Sequence, residues 1–556
     1  MSIAFTSDQW WKNGVIYCLD VQTFLDRDGD GMGDLAGLVD RIDYLAGIGV
    51  STLWLMPFYP TPDQDDGYDV SDFYGVDPRL GTLGEFVEVV RTARDRGMRV
   101  IVDLVVNHTS DQHPWFRAAR SDPDSPYRDW YVWADERPED PDLTETFPGD
   151  QGGVWAYDRK ARKYYLHRFY KHQPDLNIAN PAVREEIARI VGFWLQLGVS
   201  GFRVDAVPFL IELDGIDGAP SIDPHRYLKD LRSFVKRRHG EAILLGEVNL
   251  PPKDQRAFFG DEDGDELNLV FNFSVMQRTY LALARQDATP VERALADLPG
   301  VPFDSQWATF MRNHDELTLD QLSDDERQEV FDAFGPDPKM QIYGRGLRRR
   351  LPPMLGGDQQ RIRMAYSLLF SLPGTPVLFY GEEIGMGENL DLADRLAVRT
   401  PMQWSDEPGA GFSTANATLL TRPVTEGEYR PLALNVAAQR RDPGSLLNWF
   451  ERLIRRRRET PEFGLGTWSV IAHDQPTVLA HRCDWDGSVV VAVHNFAADP
   501  CRVDLPLHDL EDAISADDLL DGSPEQPLDE PVLRLTLERY GYRWLRIRRK
   551  GQRLTP

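Results

Sequence analysis

Cysteine is almost missing from this chain: Cys18, Cys483 and Cys501 are the only three in 556 residues. Thiols so far apart form neither a metal-binding spacing nor a disulfide framework. Cys18 lies in a β-prone run and is expected in the core. Long apolar runs are missing too, since none approaches the ~20 residues of a membrane-spanning helix. The stretch MSIAFTSDQWWKNG has no charged segment leading into an apolar one, so no secretory signal is expected. Positive charge is in deficit, with 62 Lys and Arg against 89 Asp and Glu and a formal net charge of −27. Such a surface repels nucleic acid and anionic membranes. The basic runs at 348–350 and 455–458 read as solvated helix faces or partners of acidic neighbours. There is no nucleotide or flavin motif, no internal repeat and no low-complexity tract. What is present, 42% hydrophobic residues and 14 Trp, describes a large globular chain. The expectation is a cytoplasmic protein with a neutral small-molecule partner, no organic cofactor, no nucleic acid and no membrane. A homo-oligomer stays open.

Eight β-prone runs alternate with helix-period stretches: 15–19, 52–57, 99–105, 201–207, 243–248, 269–273, 307–313 and 376–383. Helical runs at 84–97 and 180–198 close on Gly97 and Gly198, as helix C-termini do. The pattern predicts an α/β fold, a (β/α)8 TIM barrel, with an inserted subdomain after the third strand and a C-terminal antiparallel β-sandwich domain. The expected division is barrel 1–108, inserted subdomain 109–177, barrel 178–466 with a lid-like insertion at 317–361, and the β domain 467–556.

Four segments carry the chemistry: DLVVNH (103–108), GFRVDAVP (201–208), LLGEVN (244–249) and FMRNHDE (310–316). Each begins hydrophobic and ends polar, which is how a (β/α)8 barrel presents active-site groups at its C-terminal rim. Three end on carboxylates, Asp205, Glu247 and Asp315. Arg203 and Asp205 are two apart on one strand and share a face, so Arg203 can hold Asp205 ionised. Glu247 follows the apolar Ile243–Leu244–Leu245, where partial burial would raise its pKa as a general acid needs. Asp103 is read as structural, buried against Arg203. The loop DRDGDGMGD (26–34) sets Asp26, Asp28, Asp30 and Asp34 at even spacing between glycines, which suits a hard cation, calcium first.

Order and wording of these segments resemble the α-amylase superfamily, glycoside hydrolase family 13. The resemblance implies a retaining mechanism with Asp205 as nucleophile and Glu247 as acid/base. It gives Asp315 the ring hydroxyls and the oxocarbenium-like state, and His108 and His314 the sugar in the first subsite. In DDGYDVSDFYGV (65–76), Asp65 would bind hydroxyls and Tyr68 would stack on the ring. Arg399, in VRTPMQW (398–404), would pair with Asp65 and close the pocket. The carbonyl of Met32 would join the first calcium. A second calcium would use Asn107, Asp175, Glu212 and the carbonyls of Phe209 and Leu210. HQPDLN (172–177) lies near the oligo-1,6-glucosidase branch, whereas the stretch 312–413 resembles members that interconvert maltose and trehalose. Two stretches depart from that pattern, FPGDQGGVWAYD (147–158) and VNLPP (248–252), and both would shape the acceptor side. The leading expectation is maltose/trehalose interconversion by intramolecular glucosyl transfer. The alternatives are an α-glucosidase or α-glucosyltransferase acting on maltose-type oligosaccharides and, remotely, a non-catalytic sugar-binding protein. The last is disfavoured because all three carboxylates are present.

Overall fold

Eight short parallel strands close into a barrel in the order β1 to β8: Ile16–Leu19, Thr52–Leu55, Arg99–Leu104, Gly201–Val204, Ile243–Gly246, Leu269–Phe271, Gln306–Phe310 and Thr375–Phe379. The structure, a computed structural model, describes residues 9–139, 145–148, 151–211, 224–522, 526–528 and 530–551. Closure comes from β1, which pairs with β2 through Ile16↔Thr52 and with β8 through Ile16↔Val377. Strands such as ILLG and TLWL are buried along their whole length. That explains why they read as continuous apolar runs rather than as alternation.

Most strands end earlier than the β-prone runs suggest. β4 stops at Val204 and β5 at Gly246, and β6 stops at Phe271 because Asn272 turns inward to cap the helix Phe273–Arg285, accepting from the Val275 amide. The polar residues at the ends of those runs therefore belong to the rim loops. Helix boundaries follow local chemistry. Thr82 and Glu85 form a capping box at the start of Leu83–Asp95. Asn180 caps Pro181–Gln196, which carries Pro at its first position. Gly97 and Gly198 follow these two helices at φ +73° and +100°.

Between β3 and β4, strands Trp133–Ala134, Lys163–Leu166 and Trp155–Asp158 form a small antiparallel sheet, with Lys163–Leu166 in the middle. Val132, Val154, Trp155 and Leu166 give it a separate small core. Between β7 and β8, two-residue strands flank the helix Asp324–Phe334, Leu317–Thr318 before it and Gln341–Ile342 and Gly346–Leu347 after it, and the three form one sheet. From Thr467 onward the chain forms a six-stranded and a two-stranded antiparallel sheet around a second core that includes Val491, Leu505, Leu533 and Ile547. Buried His481 joins this region to the barrel by a 2.9 Å hydrogen bond to the Ser371 carbonyl. Among the described residues, no helix is long and apolar enough to cross a membrane.

Gly201 opens β4 at φ +151°, and a Cβ there would sit 2.3 Å from the Ile243 carbonyl oxygen of β5. Backbone cannot yield as a side-chain tip can. Gly201→Ala should lose about 3 kcal/mol of stability, read as a clear fall in the denaturant midpoint. An unchanged midpoint would show that β4 and β5 are not packed this closely.

Candidate active site

One guanidinium organises the rim. Arg203, 1% exposed, donates from Nη1 to Asp103 Oδ1 at 2.6 Å and Asp205 Oδ1 at 2.7 Å, and from Nη2 to Glu247 Oε2 at 2.7 Å. Asp103 is fixed from behind, accepting from Trp54 Nε1 at 2.8 Å while its carbonyl takes the Tyr59 hydroxyl at 2.6 Å. Asp205 and Glu247 each lie one residue beyond their strand, so neighbouring parallel strands deliver two carboxyl groups to one arginine.

A single positive charge among three buried carboxylates cannot hold all of them ionised. Burial raises Glu247 to about 7, with the charges of Asp205 and Asp315 pushing the same way and Arg203 opposing. Burial raises Asp205 to about 6, again against Arg203. The pair therefore titrates together, with Glu247 the member that keeps its proton to higher pH. Asp315 goes the other way. Burial pushes it up, but His314, Arg395 and Arg399 outweigh burial and hold it well below the usual carboxylate range. His108 and His314 are both lowered to about 4 by burial. Neutral His314 lies 3.0 Å from Asp315 Oδ2 and 2.6 Å from the Tyr68 hydroxyl through Nε2.

These groups surround a cavity of about 260 Å³ lined by Asp65, Tyr68, His108, Asp205, Glu247 and Asp315, among others. Arg203, His314 and Arg399 stand behind that lining, where they hold residues that face the cavity. Arg399 is not the partner of Asp65. It pairs with Asp66 and, at 3.1 Å, with Asp315, while Nε donates to the His314 carbonyl. The arginine on Asp65 is Arg395, at 2.5 Å, and it also reaches Asp315 Oδ1 at 2.7 Å. The short 3₁₀ segment Asp394–Val398 explains the exchange, since it sends Arg395 across the cavity end and leaves Arg399 in the wall. Burial works against the Asp66 charge, but Arg422 and Arg399 hold that carboxyl down at about 2. The sequence reading missed Arg395, which stands four residues before Arg399 and three before the motif VRTPMQW.

Both insertions roof the cavity beside Arg395, whose guanidinium lies over the Phe147 ring at 4.9 Å. Tyr343 meets the Tyr170 hydroxyl at 3.1 Å and the Phe147 ring at 5.0 Å between centroids. Arg345 donates to the Thr146 carbonyl at 2.8 Å and lies 3.4 Å from Glu316. Asn249 donates to Asp320 at 2.8 Å, which joins the altered stretch after Glu247 to the segment after Asp315. Phe209 and Phe169 close the remaining side with ring centroids 5.7 Å apart.

In the loop after β1, carboxylate oxygens of Asp26, Asp28 and Asp34 lie within 4.8 Å of one another. Asp26 accepts from the Gly29 and Gly31 amides, and Asp34 accepts from the Arg27 and Gly37 amides. Asp30 is not part of this cluster; its carboxylate accepts from the Met32 amide at 2.8 Å. Of the other metal set, Asn107 and Asp175 touch at 3.4 Å, and Phe209 and Leu210 lie in the helix Val207–Ile211. Glu212 lies outside the described residues. The cation that Asp175 meets is Arg168, at 3.6 Å, with the Arg168 amide donating to it at 3.0 Å. That pairing leaves the described part of this set a poor fit to a divalent ion.

The profile of the α-amylase catalytic domain matches residues 19–332 and 348–466. That of the sucrose hydrolase-like C-terminal domain matches 487–546. The chain is 42% identical over 545 residues to the trehalose synthase/amylase TreS of Mycobacterium tuberculosis, covering 97% of this chain and 90% of that protein. It is 30% identical over 543 residues to the oligo-1,6-glucosidase of Halalkalibacterium halodurans, covering 88% and 91%. Among solved structures, trehalulose synthase MutB superposes with a TM-score of 0.77 at 29% identity, covering 97% of this chain and 100% of that one.

The shared guanidinium makes the two carboxyl groups interdependent. In a pH titration followed by infrared difference spectra of the carboxyl bands, Glu247 should stay protonated after Asp205 has ionised. Asp205→Asn removes one negative neighbour of Glu247, so the Glu247 transition, about 7 in the parent, should move to lower pH. A transition that stays in place would refute the coupling.

Proposed function

We propose, from the premise that the chain belongs to the α-amylase family, glycoside hydrolase family 13, that it is a retaining α-glucosyl-transferring enzyme that interconverts maltose and trehalose. Asp205, ionised and aimed by Arg203, attacks the anomeric carbon while protonated Glu247 gives its proton to the glycosidic oxygen. A glucosyl ester forms on Asp205 and glucose is released into the cavity. Glu247, now ionised, takes the proton from the anomeric hydroxyl of that glucose after it has turned, and the oxygen attacks the ester to give trehalose. Asp315, kept ionised, opposes the positive charge that develops on the ring at both transition states.

The observation that carries isomerisation rather than hydrolysis is enclosure. Arg395 and Asp65 close the cavity at one end. Tyr343 and Arg345 from one insertion are seated on Tyr170 and Thr146 from the other. A released glucose held there competes with water at high effective concentration. The second reading, an α-glucosidase, is favoured by the oligo-1,6-glucosidase relative and by the altered stretch VNLPP at 248–252 on the acceptor side.

We also assign calcium to the loop at 26–34, held by Asp26, Asp28 and Asp34. Three carboxylates converge there, and the Asp30 amide bond to Asp28 is outweighed by slight burial and the charges of Asp30, Asp34 and Asp26, so that the Asp28 pKa is raised. A divalent ion would relieve that repulsion and tie the loop to helix Leu35–Ile48, away from bond breaking. The reading includes a cytoplasmic setting, which three free thiols support.

Incubated with maltose, the enzyme should accumulate trehalose with glucose as the minor product, and labelled external glucose should enter that trehalose poorly. Two glucose per maltose with no trehalose would leave the glucosidase reading. Chelation should lower the thermal midpoint more than the initial rate at low temperature; an unchanged midpoint would remove calcium from the account.

A further inference from the structure

Behind the closed end of the catalytic cavity lies a second cleft of about 610 Å³. Asp65 and Arg395 line both spaces. Their side chains, 9% and 11% exposed, form one ion pair at 2.5 Å, and no layer of apolar packing is needed to separate the two volumes where these residues stand. The neighbouring frame is fixed differently. Arg399 and Arg422 both grip buried Asp66, and Arg422 is anchored again on Asp20 at 3.1 Å. Arg395 instead spans two carboxylates that face the catalytic cavity, Asp65 through Nη2 and Asp315 through Nη1, and lies over the face of Phe147 at 4.9 Å. The outer cleft is polar, with Gln22, Asp63, Gln64 and His172 among its lining residues. His172 leaves its buried Nε2 without a protein partner.

A sugar entering the roofed cavity must displace the water already in it, and a second outlet spares that water from leaving against the incoming sugar. We propose that the outer cleft is a second mouth of the glucose subsite, through which water leaves and returns past the Asp65–Arg395 pair as glucose units come and go. Sugar hydroxyls that engage Asp65 or Asp315 loosen Arg395 at the moment when drainage is needed. The mouth suits water rather than sugar, because Arg422, Arg399 and Asp66 keep the rest of the wall in place. The inference rests on the glucose-binding role of this cavity but not on isomerisation.

A route alters rates and leaves equilibria alone, and this defines the test. Leu392→Phe and Gln64→Phe each narrow the outer cleft from residues that take no part in the chemistry. Association and dissociation rates of ¹³C-labelled glucose are measured by NMR exchange, and its affinity by calorimetry. The expected result is that both rates fall several-fold by the same factor, with Kd unchanged. Rates equal to the parent in both variants would overturn the proposal. A changed Kd would also overturn it, since the cleft would then shape the subsite itself. Glucose binding is common to an isomerase and a glucosidase, so absence of trehalose in the maltose experiment would leave this result standing.

Discussion

The buried guanidinium of Arg203 is the constraint on which the rest of the site depends. Removing an arginine from water costs several kcal/mol even after relaxation, and only well-placed anions offset this. Here three carboxylates on three adjacent barrel strands, β3 to β5, meet it at 2.6–2.7 Å. Parallel register sets this up, because Asp103 pairs with Arg203, and Arg203 pairs with Leu245, two residues before Glu247. The arrangement leaves two negative charges too many for complete ionisation. Of the three, Glu247 keeps its proton to the highest pH, about 7 against about 6, because the charges of Asp205 and Asp315 add to burial, and it is the one proposed as the acid.

Asp315 shows the opposite outcome from equal burial. With Arg395 and Arg399 on one oxygen and His314 on the other, it stays ionised. One rim thus holds the three carboxyl groups proposed as proton donor, nucleophile and fixed negative charge. Asp315 differs from the other two in meeting two arginines, where Asp205 and Glu247 share one. In the proposed mechanism the two insertions decide what attacks the glucosyl ester, since they roof the cavity.

Much of this was legible in the sequence. β-prone runs with carboxylates at their ends marked the barrel and its rim, because strands buried on both faces are continuously apolar and the loops after them are not. Arg203 and Asp205 were readable as a pair because two-residue spacing puts side chains on one face. Asp26, Asp28 and Asp34 were readable from glycine-spaced acids, but the turn that diverts Asp30 to the Met32 amide was not. The exchange of Arg395 for Arg399 was hidden as well. Both lie in or beside a five-residue 3₁₀ segment, where no periodicity tells which side chain crosses the cavity. The contact of Arg345 with Thr146 spans 199 positions and joins two irregular segments. Local pattern carries no signal for such a contact.

The central claim is that Asp205 carries the glucosyl group between the two sugar positions. The direct measurement is mass spectrometry of the protein after brief incubation with 5-fluoro-α-glucosyl fluoride, followed by peptide mapping, with proton NMR of the first product formed. The account predicts a 5-fluoroglucosyl ester on the peptide at Asp205, and a product whose anomeric configuration is retained. An inverted first product with no adduct on any carboxylate would contradict it.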